Sequence, residues 1–354
     1  MGGKLLKKWN LPEKRLSNDE YENLKRDILS SLHEDARIWG DGMVSFFVYE
    51  VRRKGPQIGV ARAIRSKQDH GDLDVVVGVD FLNYGNFTKY IQDTYGVKPH
   101  QNSNVISFPV NGFQVDVTFV NNDFFNQTIA YTSWGDLGNL MGRIYHKMGL
   151  HYGHEGLQYW IREGMFRENN DWSDSDHICS KFVIFTSMWN ICEAGGFDFN
   201  RWFGGFDTEE DAFQFIATSK YFRKDIYSFE NLNHINRVRN KKRGMYMRFL
   251  EWIDKTNPPD SPLPLASKED YSLYYQYHYI ELQKAIDRCR FEFTIKSRVK
   301  EKFSGKVVLD VLGDIDGNMV GEICRKFKSV YSPIDIIMMT PEHINQTIKA
   351  LHNQ

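Results

Sequence analysis

A chain of 354 residues with a formal net charge of −1 can bury a sizeable core and has room for two or three folding units. Near neutrality excludes a global field that would gather nucleic acid, so any such contact needs a local patch. The four cysteines, Cys179, Cys192, Cys289 and Cys324, have no paired ligand spacing, and neither a zinc site nor a disulfide framework is signalled. The opening "MGGKLLKKWNLPEKRL" lacks an apolar core of signal-peptide length, and no later window approaches a membrane span. The expectation is a soluble cytoplasmic protein of a reducing compartment with no membrane partner.

The chain begins with a helical segment, residues 1–40. Ser17 with Glu20 three positions later is a helix start signal, and Leu24, Ile28 and Leu32 then share one face. Strands are expected in "MVSFFVYEV" (Met43 to Val51), around "QIGVARAI" and in "DLDVVVGV". Residues Tyr84 to Tyr95 place Phe87, Tyr90 and Ile91 at helical spacing and end at Gly96. In "NVISFPVNGFQVDVTFV" the Asn111-Gly112 pair between two alternating runs predicts a β-hairpin. After residue 130 the pattern is mainly helical, through "GDLGNLMGRIYHKMGL", "SKFVIFTSMWNICEAGG" and "EEDAFQFIATSKYF", up to residue 256. The Pro-dense stretch at 257–268 marks a linker, and residues 269–354 form a C-terminal helical region. There "EDYSLYYQYHYIELQKAIDRCRFEFTIKSRVKEKF" reads as one long helix. The string "LGDIDGNMVGE" fails as a calcium loop, because Leu312 and Ile323 fall where carboxylates are needed, and reads as a turn entering a helix. The fold class is α+β: a β-rich unit at 41–130, then helices.

The stretch "DHGDLDVVVGVD" carries the chemistry. On a strand, residues two apart point to one face with Cα atoms about 6.5 to 7 Å apart, so Asp72 and Asp74 converge. Two carboxylates so close repel unless a cation lies between them, and hard divalent ions accept such oxygens together with substrate phosphates. Gly71 lets a phosphate approach closely. In "GFQVDVTFV", Asp116 shares a face with Gln114 and Thr118, while Phe113, Val115, Val117 and Phe119 form the core face. A lone Asp in so apolar a strand is costly unless it is paired or ligates a metal. If the two strands are neighbours, three carboxylates meet, enough for two metals about 3.5 to 4 Å apart and an in-line displacement at phosphorus. Asp69 and Asp80 are expected as loop residues.

"HGDLDVVV" followed by "FQVDVTFV" resembles the palm signature of the DNA polymerase β-like nucleotidyltransferase superfamily over roughly residues 43 to 122. The leading "GG" and "RSKQDHGDLD" are more loosely similar to virus-encoded members, which implies a host-cytoplasmic setting for such a protein. The resemblance implies a palm domain with a mixed or antiparallel sheet and flanking helices at 41–130. It also implies two Mg²⁺ or Mn²⁺ ions held by Asp72, Asp74 and Asp116, with Asp116 helping to activate the attacking hydroxyl. The reaction implied is transfer of a nucleoside monophosphate from an NTP or dNTP to an acceptor hydroxyl, with release of pyrophosphate.

The family's Gly-Ser phosphate grip is missing. Its nearest counterparts are Gly59-Val60, without the Ser, and the displaced Arg65-Ser66-Lys67, in which Ser66 can donate to phosphate while Arg65 and Lys67 neutralise a triphosphate. The run Arg237, Arg239, Lys241, Lys242 and Arg243 is a basic helix face suited to a nucleic-acid backbone, so the acceptor is expected to be an RNA, tRNA or DNA 3′ end. His146, Lys147, His151 and His154, with aromatics beside them, could stack a base or contact a triphosphate. Three rival readings stay open: nucleotidylation of a protein or small molecule, a catalytically inactive palm-like binding module, and a Mn²⁺ sugar transferase that leaves Asp116 unexplained.

Overall fold

The computed structural model describes residues 6, 14–36, 56–79, 84–167, 173 and 176–353. The expected strand at Met43–Val51, and Asp80, lie outside the described residues. The chain divides into two compact units, residues 1–159 with 183–272, and residues 160–182 with 273–354.

The first unit is built on a five-stranded mixed sheet. Strand β1 (Leu16–Ser17) leads into helix α1 (Asn18–Glu34), followed by β2 (Gln57–Val60), β3 (Asp69–His70), β4 (Asp72–Val79), α2 (Tyr84–Tyr95), β5 (His100–Asn102), β6 (Val105–Val110) and β7 (Phe113–Asn121). The sheet order is β2-β4-β7-β6-β5; among the described residues the β4–β7 ladder is parallel and the others antiparallel.

Each piece forms for a local reason. Ser17 is the N-cap of α1, its N–H and Oγ donating to Glu20 Oε2 at 3.0 and 2.9 Å, which satisfies the cap and places an acid at the positive helix end. The β6–β7 turn has Asn111 at φ +52° and Gly112 at φ +79°, the left-handed pair that a two-residue hairpin matched to strand twist requires. Gly96, at φ +65°, ends α2.

Alternation decides the faces. Leu73, Val75 and Val77 of β4, with Phe113, Val115, Val117 and Phe119 of β7, are buried in one core against Tyr21, Ile28 and Leu32 of α1 and Phe87, Tyr90 and Ile91 of α2. The other face is covered in part by α3 (Phe125–Thr132), and glycines permit the approach: a Cβ on Gly59 would lie 2.6 Å from Ile129, and one on Gly78 2.7 Å from Asn122. Short of that cover, the same face bears Asp72 and Asp74.

Beyond α3 come α4 (Leu137–Lys147), β8 (Leu150–Gly153), β9 (Gly156–Arg162), β10 (Ile178–Phe185), α5 (Met188–Ala194), α6 (Phe199–Gly204), α7 (Glu209–Ala217), α8 (His234–Asn240) and α9 (Gly244–Thr256). The three strands are a correction to the helical expectation. "SKFVIF" is part of β10, and only the following Met188–Ala194 is helical. Strand β9 is buried at six of its seven positions, so it shows no alternation, the signal that would have marked it.

Strands β9 and β10, and helix α10 (Lys268–His278), carry the chain from one unit to the other. The second unit is then helical: α11 (Ile280–Lys302), α12 (Gly305–Leu312), α13 (Gly317–Val330), α14 (Pro333–Met338) and α15 (Pro341–His352). Phe303 and Phe327 stack at 3.9 Å in its core with Val308, Ile323, Ile336, Ile344 and Ile348. The expected single long helix is broken at Tyr279, whose backbone leaves the helical region at φ −124° and ψ 90° and whose carbonyl starts the next helix, accepting from the Leu282 and Gln283 N–H groups. Asp316 caps α13, accepting from the Asn318 N–H at 2.9 Å, and Ile323 is buried, in keeping with the turn-and-helix reading of "GDIDGNMVGE".

Among the described residues no helix is long and apolar enough to cross a membrane. The four cysteines are free, with Cys192 and Cys289 buried and Cys179 and Cys324 partly so.

Candidate metal centre and its cleft

Register brings the three carboxylates together. In the parallel ladder Asp72 is the Cα partner of Gln114 and Asp74 that of Asp116, so both acids of β4 and the acid of β7 lie on one face. One carboxylate oxygen from each of Asp72, Asp74 and Asp116 lies within 4.8 Å of the others. Asp116 is steadied by Gln114, whose Nε2 donates to Oδ2 at 2.8 Å, while its Oδ1 is buried with no hydrogen-bond partner.

The electrostatics express this crowding. Asp74 keeps exposed surface on the cleft floor, yet burial of that floor, and then the Asp72 and Asp116 carboxylates, push it up to about 7. Burial likewise raises Asp116, against the pull of its hydrogen bonds with Ser107 and Gln114. A triad with an orphaned buried oxygen and one carboxyl held well above the usual range fits a divalent cation. The set is all oxygen and hard, which suits Mg²⁺ or Mn²⁺ in preference to a thiophilic metal.

Neighbouring packing holds the mouth of β4 in place. The buried His70 ring stacks on Tyr21 of α1 at 3.8 Å and 10°, and burial, then the Lys67 ammonium, push its pKa down to about 4. Asp69 is not a loop residue: it pairs with Ser17 in the β1–β3 ladder and receives Arg15 Nε on both carboxylate oxygens, at 2.7 and 2.6 Å.

Asp72 and Asp74 of the triad open on a cleft of about 1040 Å³ within the first unit. Gly71, Asp72 and Asp74 form its floor, the loop between β2 and β3 supplies Arg62, Ser66 and Lys67, and α8, α9 and the turn between them supply Arg239, Lys242, Arg243 and Arg248. No protein-family model and no curated protein matches this chain. What the cleft does must therefore come from its chemistry.

The expected phosphate-gripping loop is divided. Ser66 and Lys67 line the cleft, whereas the Arg65 guanidinium is committed to the Asp207 carboxylate and the Gly204 carbonyl. Arg65 and Ser66 backbone N–H groups also donate to the Phe206 and Asp207 carbonyls, at 3.1 and 2.8 Å, which latches the loop to the end of α6.

The basic run divides too. Arg237 donates to the Phe229 and Leu232 carbonyls at 3.1 and 3.0 Å, and the Lys241 ammonium sits 5.6 Å from the Phe229 ring centre, so neither lines the cleft. Arg243 lines it but is paired with Asp136, as Arg248 is with Glu209 at 2.6 Å. Arg239 and Lys242 are exposed to the cleft and form no ion pair among the described residues.

Of the histidines, His154 lines the cleft, its ring 4.9 Å from that of Tyr131, and burial holds its pKa below the usual value. His146, Lys147 and His151 do not line it.

Sequence reasoning missed Arg15, Arg62, Asp136 and Arg248. Their partners are Asp69, the Phe203 carbonyl, Arg243 and Glu209, at separations of 39 to 141 residues, so no local pattern names them. The "WGD" preceding α4 could have pointed to Asp136, since Trp134 and Gly135, at φ +64° and +68°, form the tight turn that presents it.

Proposed function

We propose that this protein is a metal-dependent nucleotidyltransferase of the DNA polymerase β-like kind, its five-stranded sheet serving as the palm. The observation that carries the reading is the in-register Asp74–Asp116 pair with Asp72 on the same face, Asp72 and Asp74 lining a large cleft. Asp72, Asp74 and Asp116 would hold the Mg²⁺ or Mn²⁺ ions, Asp116 offering its orphaned Oδ1 as a ligand. Bound there, the ions supply charge neutralisation at the transferring phosphate.

The protein's own residues position the reactants. The rigid β4–β7 ladder fixes the carboxylates, and the cleft holds an NTP or dNTP with its α-phosphate over them. The acceptor oxygen bonds to the α-phosphorus, the bond from that phosphorus to the pyrophosphate oxygen breaks, and the hydroxyl proton passes to the Asp116 carboxylate. Cations around the cleft favour a phosphate-bearing acceptor, a nucleic-acid 3′ end, over a protein side chain or small molecule.

A pyrophosphate-release assay tests this, run with each NTP and dNTP, Mg²⁺ or Mn²⁺, and RNA, DNA and protein acceptors. Release is expected with a nucleic-acid acceptor and is expected to vanish with EDTA. Absence of metal-dependent release in every combination contradicts the reading.

A further inference from the structure

The cleft contains cations of two kinds. Arg15, Arg243 and Arg248 each have a carboxylate partner inside it, namely Asp69, Asp136 and Glu209, so their charge is already balanced. Arg62 donates to the Phe203 carbonyl at 2.9 Å and lies over the Phe203 ring at 4.9 Å. Lys67 acts on the triad side, where its charge is felt by Asp74 and His70. That leaves Arg239 at the end of α8 and Lys242 in the turn before α9, both exposed and without an ion pair among the described residues.

Two exposed cations on a turn would ordinarily be a solvated surface. Here they share a cleft with an acid cluster that needs cations of its own, and the rest of the run around them is spent on structure. Arg237 ties α8 to the Phe229–Leu232 segment, Lys241 covers Phe229, and Arg243 holds Asp136. The Arg65-Ser66-Lys67 loop, expected from the sequence to grip phosphate, has meanwhile turned its arginine away to Asp207 and Gly204. Gly244, immediately after the turn, begins α9 next to Arg248, where a Cβ would meet the guanidinium at 3.0 Å, so the backbone there is closely approached by a cation.

We infer that Arg239 and Lys242 form a phosphate-binding subsite on the α8–α9 wall of the cleft, taking over the grip that Arg65 does not provide. The inference rests on the nucleotidyltransferase reading for its purpose, but the subsite itself binds phosphate without metal. Its chemistry suits either the polyphosphate of a nucleotide or the phosphodiesters of an acceptor strand.

The test is a binding titration of the full chain in EDTA, with inorganic tripolyphosphate in one arm and a single-stranded oligonucleotide in the other. Arg239→Gln with Lys242→Gln is expected to weaken one or both ligands by at least about tenfold. Loss in the tripolyphosphate arm assigns the subsite to the nucleotide, and loss only in the oligonucleotide arm assigns it to the acceptor. Lys241→Gln, one residue away on the Phe229 side, is expected to stay within about twofold of wild type in both arms. The charge-preserving pair Arg239→Lys with Lys242→Arg is expected to restore most of the binding and guards against a folding artefact. Failure of the wild type to bind either ligand, or equal binding by the double Gln variant, overturns the inference. Asp116→Asn separates it from the parent reading: that variant is expected to lose nucleotide transfer while keeping metal-free tripolyphosphate or oligonucleotide binding.

Discussion

Asp74 of β4 and Asp116 of β7 are direct Cα partners in the parallel ladder of the sheet, and their carboxylates lie on one face with that of Asp72. A slip of one residue in either strand would turn one of them into the apolar core, so the hydrophobic pattern that builds the core also assembles the triad.

Like charges held this close strain the metal-free protein. Asp74→Asn is expected to raise the metal-free unfolding free energy at pH 8 by roughly 1 kcal/mol, a figure reduced from the full shift because Asp74 is solvent-exposed. Urea denaturation in EDTA measures it. A destabilised Asp74→Asn protein would show that the carboxylate is held by protein contacts and not against them.

Cation binding should relieve the same strain. Mg²⁺ or Mn²⁺ at about 100 times its dissociation constant is expected to stabilise the wild type by about 2.7 kcal/mol. Thermal melts with and without the metal read this directly. Asp72→Asn and Asp116→Asn are each expected to lose most of the response, whereas Asp69→Asn, whose carboxylate is taken by Arg15, is expected to keep it.

How much of this was legible in the sequence follows from what each feature depends on. The Ser17–Glu20 cap, the Asn111-Gly112 turn and the end of α2 at Gly96 are local, so their residues announce them. The triad was legible because strand alternation fixes the face of each Asp, with only the neighbouring of β4 and β7 left to the fold. Strand β9 was not, because burial on both faces erases its period. Nor was the diversion of Arg65, whose partner Asp207 is 142 residues away. The division of the basic run depends on Phe229, Leu232 and Asp136, which the run's own composition cannot reveal. The break at Tyr279 has no Gly or Pro to mark it.

The hairpin can be tested alone. Gly112→Val places a β-branched residue at φ +79° and is expected to cost about 1–3 kcal/mol by urea denaturation. Asn111→Asp, a residue type that tolerates the left-handed region, is expected to cost under about 0.5 kcal/mol.

The Arg243–Asp136 pair is largely buried in the cleft wall, with side chains 13% and 26% exposed. Arg243→Met alone leaves the Asp136 charge unpaired and is expected to destabilise by about 1–3 kcal/mol. Adding Asp136→Asn is expected to recover more than half of that loss, which a double-mutant cycle reads as coupling between the two sites.

The central claim is that Asp72, Asp74 and Asp116 act together in nucleotidyl transfer. Its most direct measurement is incorporation of α-phosphate label from an NTP or dNTP into a nucleic-acid 3′ end, comparing the wild type with Asp116→Asn in Mg²⁺ and in Mn²⁺. Metal-dependent incorporation by the wild type and a fall of at least about a hundredfold in the variant are expected. Undiminished incorporation by a folded Asp116→Asn protein, or none by the wild type with any nucleotide, would contradict it.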